Sequence, residues 1–414
     1  MGRIAVVGAG IVGCSCALFL QRDGHDVVLV DPREPGAGTS KGNAGIISCS
    51  AITPLATIET LRGVPAMLRD PMGALSIRWR HLPELLPWLV RFCIASRSRT
   101  VESSTVALAA LLQHANQAHD IVIQQAGLGD LVRGGGWLKV AYDRKRLDRY
   151  MASIRRYYDR FGVVYHMLDR EGCLDLEPAL NPEIAAGVLI ADCRAVRHPQ
   201  DYTGGIARAV MERGAEHVRQ TVRDIERADG VVKTVITDAG KLAVDGVVLA
   251  AGAFSGALAR MSGAPVPLIA ERGYHLMLPH PAVTLNNPVY TVEGSFVVAP
   301  MTHGLRLTGG VELASNAAPP DYARIRRLIE PARRLVPGLT ATVDDAWQGH
   351  RPSLPDSLPV VDRAPALRNF WYAFGHQHIG LTLGPLTGRL VADLVAGRQP
   401  LVDLAPFRAR RAFC

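Results

Sequence analysis

The chain opens on a short apolar run, Ile4-Ala5-Val6-Val7, then a turn, Gly8-Ala9-Gly10-Ile11-Val12-Gly13, and then apolar residues at helical spacing over 11–22. A second apolar run at 27–30 ends on Asp31. Brief continuous apolar runs read as buried strands and a 3.6-residue repeat as a helix, so the first 31 residues predict a βαβ unit. Residues 56–128 predict mostly helix, with a proline-punctuated apolar segment at 82–92. Strand patterns recur at 136–141, 187–191, 273–278, 295–299 and 305–308, which implies a second, β-rich domain. Two later stretches return to the first pattern: an apolar run at 243–252 that ends in small residues, and 370–375, which leads through a glycine-rich turn into a helix over 383–396.

This alternation predicts an α/β protein in which one domain is assembled from separate pieces of chain. The expected pieces are 1–80, 166–265 and 346–414 for the first domain. A mainly helical stretch at 81–165 begins the second domain, and 266–345 completes it. With 414 residues, 48% of them hydrophobic, the chain is long enough for such a pair of cores. The apolar runs fall far short of the roughly 20 residues needed to cross a bilayer. The first residues enter a strand directly, without an export-signal pattern, so a soluble, cytoplasmic protein is expected. Seven cysteines, an odd number without a CxxC pair, suit neither a metal site nor a disulfide framework, and no metal is expected. The net charge of +8 is carried largely by arginine clusters without interleaved aromatics, which argues against a nucleic-acid platform and suits anionic ligands.

The chemistry begins at the glycine-rich turn. Gly8, Gly10 and Gly13 follow a strand, open a helix and are answered by Asp31 eighteen residues after the last glycine, the arrangement of a dinucleotide-binding fingerprint. Gly10 leaves room for a pyrophosphate, the amides of Ile11 and Val12 at the helix start face it, and Asp31 can accept from ribose hydroxyls. The polar, glycine-rich segment 36–48 comes directly after, and a nicotinamide enzyme has no need of it.

Six segments in order then resemble the D-amino acid oxidase superfamily of FAD oxidoreductases, most nearly the bacterial D-amino acid dehydrogenases. They are the glycine-rich turn, Gly38-Thr39-Ser40 with Asn43-Ala44-Gly45, Ala250 to Ser255, Gly273-Tyr274, Gly349-His350-Arg351-Pro352, and Gly375 to Thr382. The resemblance implies a discontinuous Rossmann-like FAD-binding domain beneath a β-sheet-based (α+β) substrate domain. It places Thr39 and Ser40 on the pyrophosphate, Asn43, Gly45 and Ile46 near the isoalloxazine, Val222 beside the adenine, and Ala251 and Gly252 in the nucleotide site. Gly380, Leu381 and Thr382 would turn backbone amides toward the flavin pyrimidine edge. Neither a histidine beside Thr39-Ser40 nor a cysteine near the last motif is present, so FAD is expected to be non-covalent.

By the same resemblance, Arg351 clamps a substrate carboxylate, Tyr274 points from its strand toward the flavin to bond the carboxylate or close the pocket, and His376 and His378 line the pocket or tune its electrostatics. The implied reaction is oxidative deamination of a small D-amino acid. Glycine, sarcosine, D-proline and cis-4-hydroxy-D-proline are the alternative substrates, and a non-catalytic flavoprotein subunit of a heteromeric complex is the alternative role. Electrons would pass to a quinone, another acceptor or O2. Segment 82–92, with Arg91, Arg97 and Arg99 nearby, is expected to allow peripheral contact with the inner face of an anionic membrane.

Overall fold

The computed structural model describes residues 2–70, 73–279, 282–339 and 342–413. A six-stranded sheet carries the first domain. Its order is Glu216–Val218, Asp26–Val30, Arg3–Val7, Gly246–Leu249, Phe370–Phe374 and Val360–Arg363, parallel except for the last pair. The central strands are covered on both faces. Ile4 and Val6 pack into one core with Val27 and Leu29, while Ala5 and Val7 pack into another with Val28 and Val30. Continuous apolar runs are what such strands require. Each fully buried Val or Leu contributes roughly 1.5–3 kcal/mol.

Helix Ile11–Arg22 lies against the first strand because Gly13 has no side chain, since a Cβ there would sit 1.8 Å from the Gly8 carbonyl oxygen. Helix Gly380–Ala396 packs on it just as closely, and a Cβ on Gly388 would come within 2.5 Å of the Ser15 carbonyl carbon. Cys14 and Cys16 are fully buried inside this helix layer. Burial pushes both thiols far above their ordinary range, as expected of packing residues rather than reactive ones.

The second sheet runs Asp345–Ser353, Ile269–Leu278, Gly304–Leu313, Phe296–Met301, Val289–Thr291, Trp137–Ala141, Ala186–Ile190 and Tyr165–Asp169, with Leu75–Ile77 added beside Gly304–Leu313. Membership in this sheet moves three of the expected boundaries, the first because Leu75–Ile77, expected in the first-domain piece 1–80, pairs with Gly304–Leu313. The strands Tyr165–Asp169 and Ala186–Ile190 cover the end of 81–165 and the start of 166–265, and both belong to the larger sheet. Asp345–Ser353, placed in the first domain from residue 346 on, pairs along its whole length with Ile269–Leu278. The physical reason is that a strand is assigned by its hydrogen-bonded neighbour, and pairing partners distant in sequence leave no mark in a local apolar pattern.

The larger sheet has two unlike faces. One, with Tyr274, Leu276, Leu278 and Leu307, closes on a separate core with Ile325, Leu328 and Leu335. The other carries Arg351, Gly349 and Trp347 opposite Glu271, Gly273 and His275, and it faces the first domain, where Trp347 lies against Gly42.

Candidate active site

A cavity of about 540 Å3 opens along the carboxyl ends of the parallel strands, the usual place for a ligand in such a sheet and a usual size. Gly8, Gly10, Ile11, Val12 and Asp31 line it, with Thr39, Ser40 and Asn43 from the following segment. Val222, Ala251, Gly252, Gly380, Leu381 and His376 also reach it, so most of the residues expected to hold a cofactor converge on one space. Gly13, Gly45, Ile46 and Thr382 stand behind this wall. Gly13 packs on Gly8, Gly45 is pressed against the Val196 carbonyl, and Ile46 pairs with Ala195. The Thr382 hydroxyl accepts from the Ser48 amide at 3.0 Å.

The donor and acceptor set fits a dinucleotide. A Cβ added to Gly10 would meet only the Ser40 hydroxyl, at 3.3 Å, so the space beyond the turn is open. Ser40 Oγ accepts from the Ile11 amide at 2.9 Å, which puts a hydroxyl and a helix start together where an anionic diphosphate is favoured. Asp31 accepts from the amides of Ala9 (3.0 Å) and Arg33 (2.9 Å) and is thereby held at the cavity rim.

Two residues without a sequence signal brace these walls. His119 is fully buried. Its Nε2–H faces the carbonyls of Leu381 (3.1 Å) and Thr382 (3.2 Å), and its Nδ1 accepts from the Tyr202 hydroxyl at 2.8 Å. Burial holds its pKa down to about 3, so the ring stays neutral and keeps this tautomer. Arg306, on the larger sheet, donates to the carbonyls of Lys41 (2.8 Å) and Asn43 (2.6 Å), pinning the 39–45 segment from above. Burial lowers its pKa to about 10, leaving it charged. Both residues act on backbone carbonyls far away in sequence, which no local motif reports.

Arg351 lies on the inner face of the larger sheet, its guanidinium flat over Gly273. A Cβ on Gly273 would come within 2.6 Å of Arg351 Cζ. Its hydrogen bond is a long one, from Nη1 to the Gly310 carbonyl at 3.3 Å, which leaves donors free. His378 is brought alongside by the next loop, where the Gln377 amide donates to the Pro352 carbonyl at 3.0 Å. The His378 ring is exposed and is not among the residues that line the cofactor cavity. The protein packed around the loop, and then the Arg351 charge, lower its pKa from the ordinary histidine value.

Tyr274 requires a correction. It does not point toward the flavin side, because adjacent strand residues face opposite ways and Gly273 occupies the inner position beneath Arg351. The Tyr274 hydroxyl instead donates to Glu312 at 2.5 Å and accepts from the Asp321 amide at 3.2 Å. Glu312 also receives Arg78 at 2.6 Å and Arg272 at 3.1 Å, making a buried network on the outer face. Burial and the Glu312 carboxylate push the Tyr274 pKa up to about 12. His376 is likewise committed elsewhere. Its ring forms a wall of the cofactor cavity, but Nε2 is bonded to the Thr387 hydroxyl at 2.8 Å, and burial keeps it neutral, with a pKa of about 3.

Comparison with known proteins agrees with this geometry. The chain is 35% identical over 416 residues to a D-amino-acid oxidase of Bradyrhizobium diazoefficiens, covering 99% of this chain and 98% of that one. It is 31% identical over 436 residues to a D-amino acid dehydrogenase of Paramagnetospirillum magneticum, covering 97% of each. Among solved structures, glycine oxidase from Geobacillus kaustophilus superposes with a TM-score of 0.75 at 23% identity, over 99% of both chains. Residues 3–394 match the DAO family, described as FAD dependent oxidoreductase. With the dinucleotide cavity and the sheet above it in place, the chain belongs to the DAO family of FAD-dependent oxidoreductases.

Proposed function

We propose that the protein oxidises a small D-amino acid to the imino acid, which water then hydrolyses to a 2-oxo acid. The observation that carries this reading is the free face of the Arg351 guanidinium, half-buried on the sheet side that meets the cofactor domain. A planar fork of donors there matches a carboxylate bidentately. FAD supplies the hydride acceptor when bound. The chain's own residues hold the carboxylate, exclude water and keep His378 neutral beside Arg351, so positioning accounts for most of the rate. FAD is held non-covalently in this reading. Among the described residues no cysteine lines the cavity, and the histidine that does, His376, has its Nε2 bonded to Thr387. The names of the full-length relatives, an oxidase and a dehydrogenase of D-amino acids, support the substrate class.

The test is anaerobic mixing of the yellow protein with paired D- and L-amino acids, glycine, sarcosine and hydroxyproline isomers. Bleaching by D-amino acids is expected. Bleaching by glycine, sarcosine or the cyclic amines alone would transfer the reading to those substrates, and a flavin that no amine bleaches would identify a non-catalytic subunit.

The acceptor in this reading is a membrane quinone rather than O2, and the support is a surface. Among the described residues no helix is long and apolar enough to cross a membrane. Helix Leu82–Ala95, however, buries Leu85 and Trp88 and turns Leu86 and Val90 outward as an apolar stripe, 53% and 50% exposed, and Trp79, in the turn just before the helix, is 64% exposed. Arg80, Arg91, Arg97 and Arg99 are exposed around this stripe. A second copy docked there about a twofold axis would set arginines against arginines, whereas an anionic lipid surface neutralises them. Cosedimentation with phosphatidylserine vesicles, lost in Leu86→Glu, is the expected result. Equal recovery of both proteins in the supernatant would remove the membrane contact.

A further inference from the structure

Glu271 stands directly across the strand pair from Arg351, on the same inner face, and is 5% exposed. Directly opposed residues place their Cβ atoms roughly 5 Å apart. The two charges feel each other, but Arg351 bends away over Gly273 toward the Gly310 carbonyl, so they do not close into a contact ion pair. The groups facing Glu271 are Arg351 and the Ser353 hydroxyl from Asp345–Ser353, and Leu313, uncharged, from Gly304–Leu313. His378, beside Arg351, is neutral.

A buried carboxylate without a close cationic partner is costly, and a lone negative charge beside a carboxylate clamp would repel the very group the clamp receives. Both difficulties disappear if the ligand brings a positive charge of its own. A zwitterionic amino acid does so, with its ammonium group one carbon away from its carboxylate. We propose that Glu271 binds the substrate's ammonium group and accepts its proton while Arg351 holds the carboxylate. The N–H bond breaks, an O–H bond forms on the glutamate, and the nitrogen keeps the electron pair it needs before hydride can leave the α-carbon. The proton then passes to solvent. Burial raises the Glu271 pKa above the ordinary carboxylate range, which makes it a stronger proton acceptor than an exposed glutamate.

This inference rests on the amino-acid reading above, and the experiment separates the two. The measurements are the pH profile of anaerobic flavin reduction by D-alanine, and the Kd for benzoate, a carboxylate without an amine, read from the flavin spectrum. In Glu271→Gln, reduction at neutral pH should fall about tenfold or more and then climb tenfold per pH unit toward the range where the free amine exists in solution. Benzoate should bind as well as before or more tightly. Glu271→Asp should restore the wild-type limb at least in part.

A Glu271→Gln profile that overlays the wild type overturns the proposal, as does loss of benzoate binding in that variant, which would mean that Glu271 merely positions Arg351. Wild-type protein that binds benzoate but is not reduced by any amino acid would overturn the amino-acid reading itself.

Discussion

Arg351→Ala should raise the KM for a D-amino acid about a hundredfold, the effect of losing a charged hydrogen-bond pair of ~3 kcal/mol. The guanidinium is half-buried, lies flat over Gly273 and keeps donors free, so nothing nearby replaces it in the variant. Tyr274→Phe is the control. Its hydroxyl serves Glu312 on the far face of the sheet, so KM should stay within about twofold while the melting temperature falls, because a buried bond to a charged group is lost. Steady-state kinetics and thermal melts on the two variants decide the matter. An unchanged KM in Arg351→Ala removes that residue from the site, and a large KM effect in Tyr274→Phe would mean that the outer-face network reaches the substrate.

Gly10→Val should give a folded but colourless protein. Gly10 has φ −77° and ψ −179°, extended backbone that any residue adopts, and a Cβ there meets only Ser40 at 3.3 Å. The added methyls would instead occupy the space reserved for the diphosphate. Gly13→Val, three residues on, should behave differently. Its Cβ would collide with the Gly8 backbone at 1.8 Å, so the helix and strand must separate and the protein should fail to accumulate in soluble form. Flavin absorbance per mole of protein, alongside circular dichroism, distinguishes the two. Full flavin content in Gly10→Val would move the cofactor away from this turn.

Which parts of the site were legible beforehand follows from how far apart their determinants lie. Gly8, Gly10 and Asp31 sit within one short stretch and were legible from local spacing, while Thr39 and Ser40 came through the family resemblance, and all five line the same cavity. Arg351 was found through its motif. Its partner Glu271 was not, because the two are joined by an antiparallel register between strands separated in sequence by most of a domain. Tyr274 shows the same limit from the other side. That Gly273 and Tyr274 point to opposite faces was readable, but which face looks inward was not, until Arg351 was seen to lie over the glycine. His119 and Arg306 left no trace at all, since each recognises backbone carbonyl groups of a distant segment rather than side chains with a characteristic spacing.

By itself, then, the order of residues determined that a dinucleotide turn begins the chain, that the cofactor domain is built from separate pieces, and that an arginine waits in the Gly-His-Arg-Pro segment. The first two are consequences of local periodicity and of glycine at positions where the backbone has no room for a side chain or where a ligand must approach, and the third follows from the resemblance of that segment to the family's motif. The tertiary structure alone decided which sheet owns each strand, which face of the larger sheet meets the cofactor domain, and that a glutamate stands opposite the arginine. Strand pairing between remote segments sets all three, and a shift of one residue in that pairing would have turned every one of these side chains to the other face.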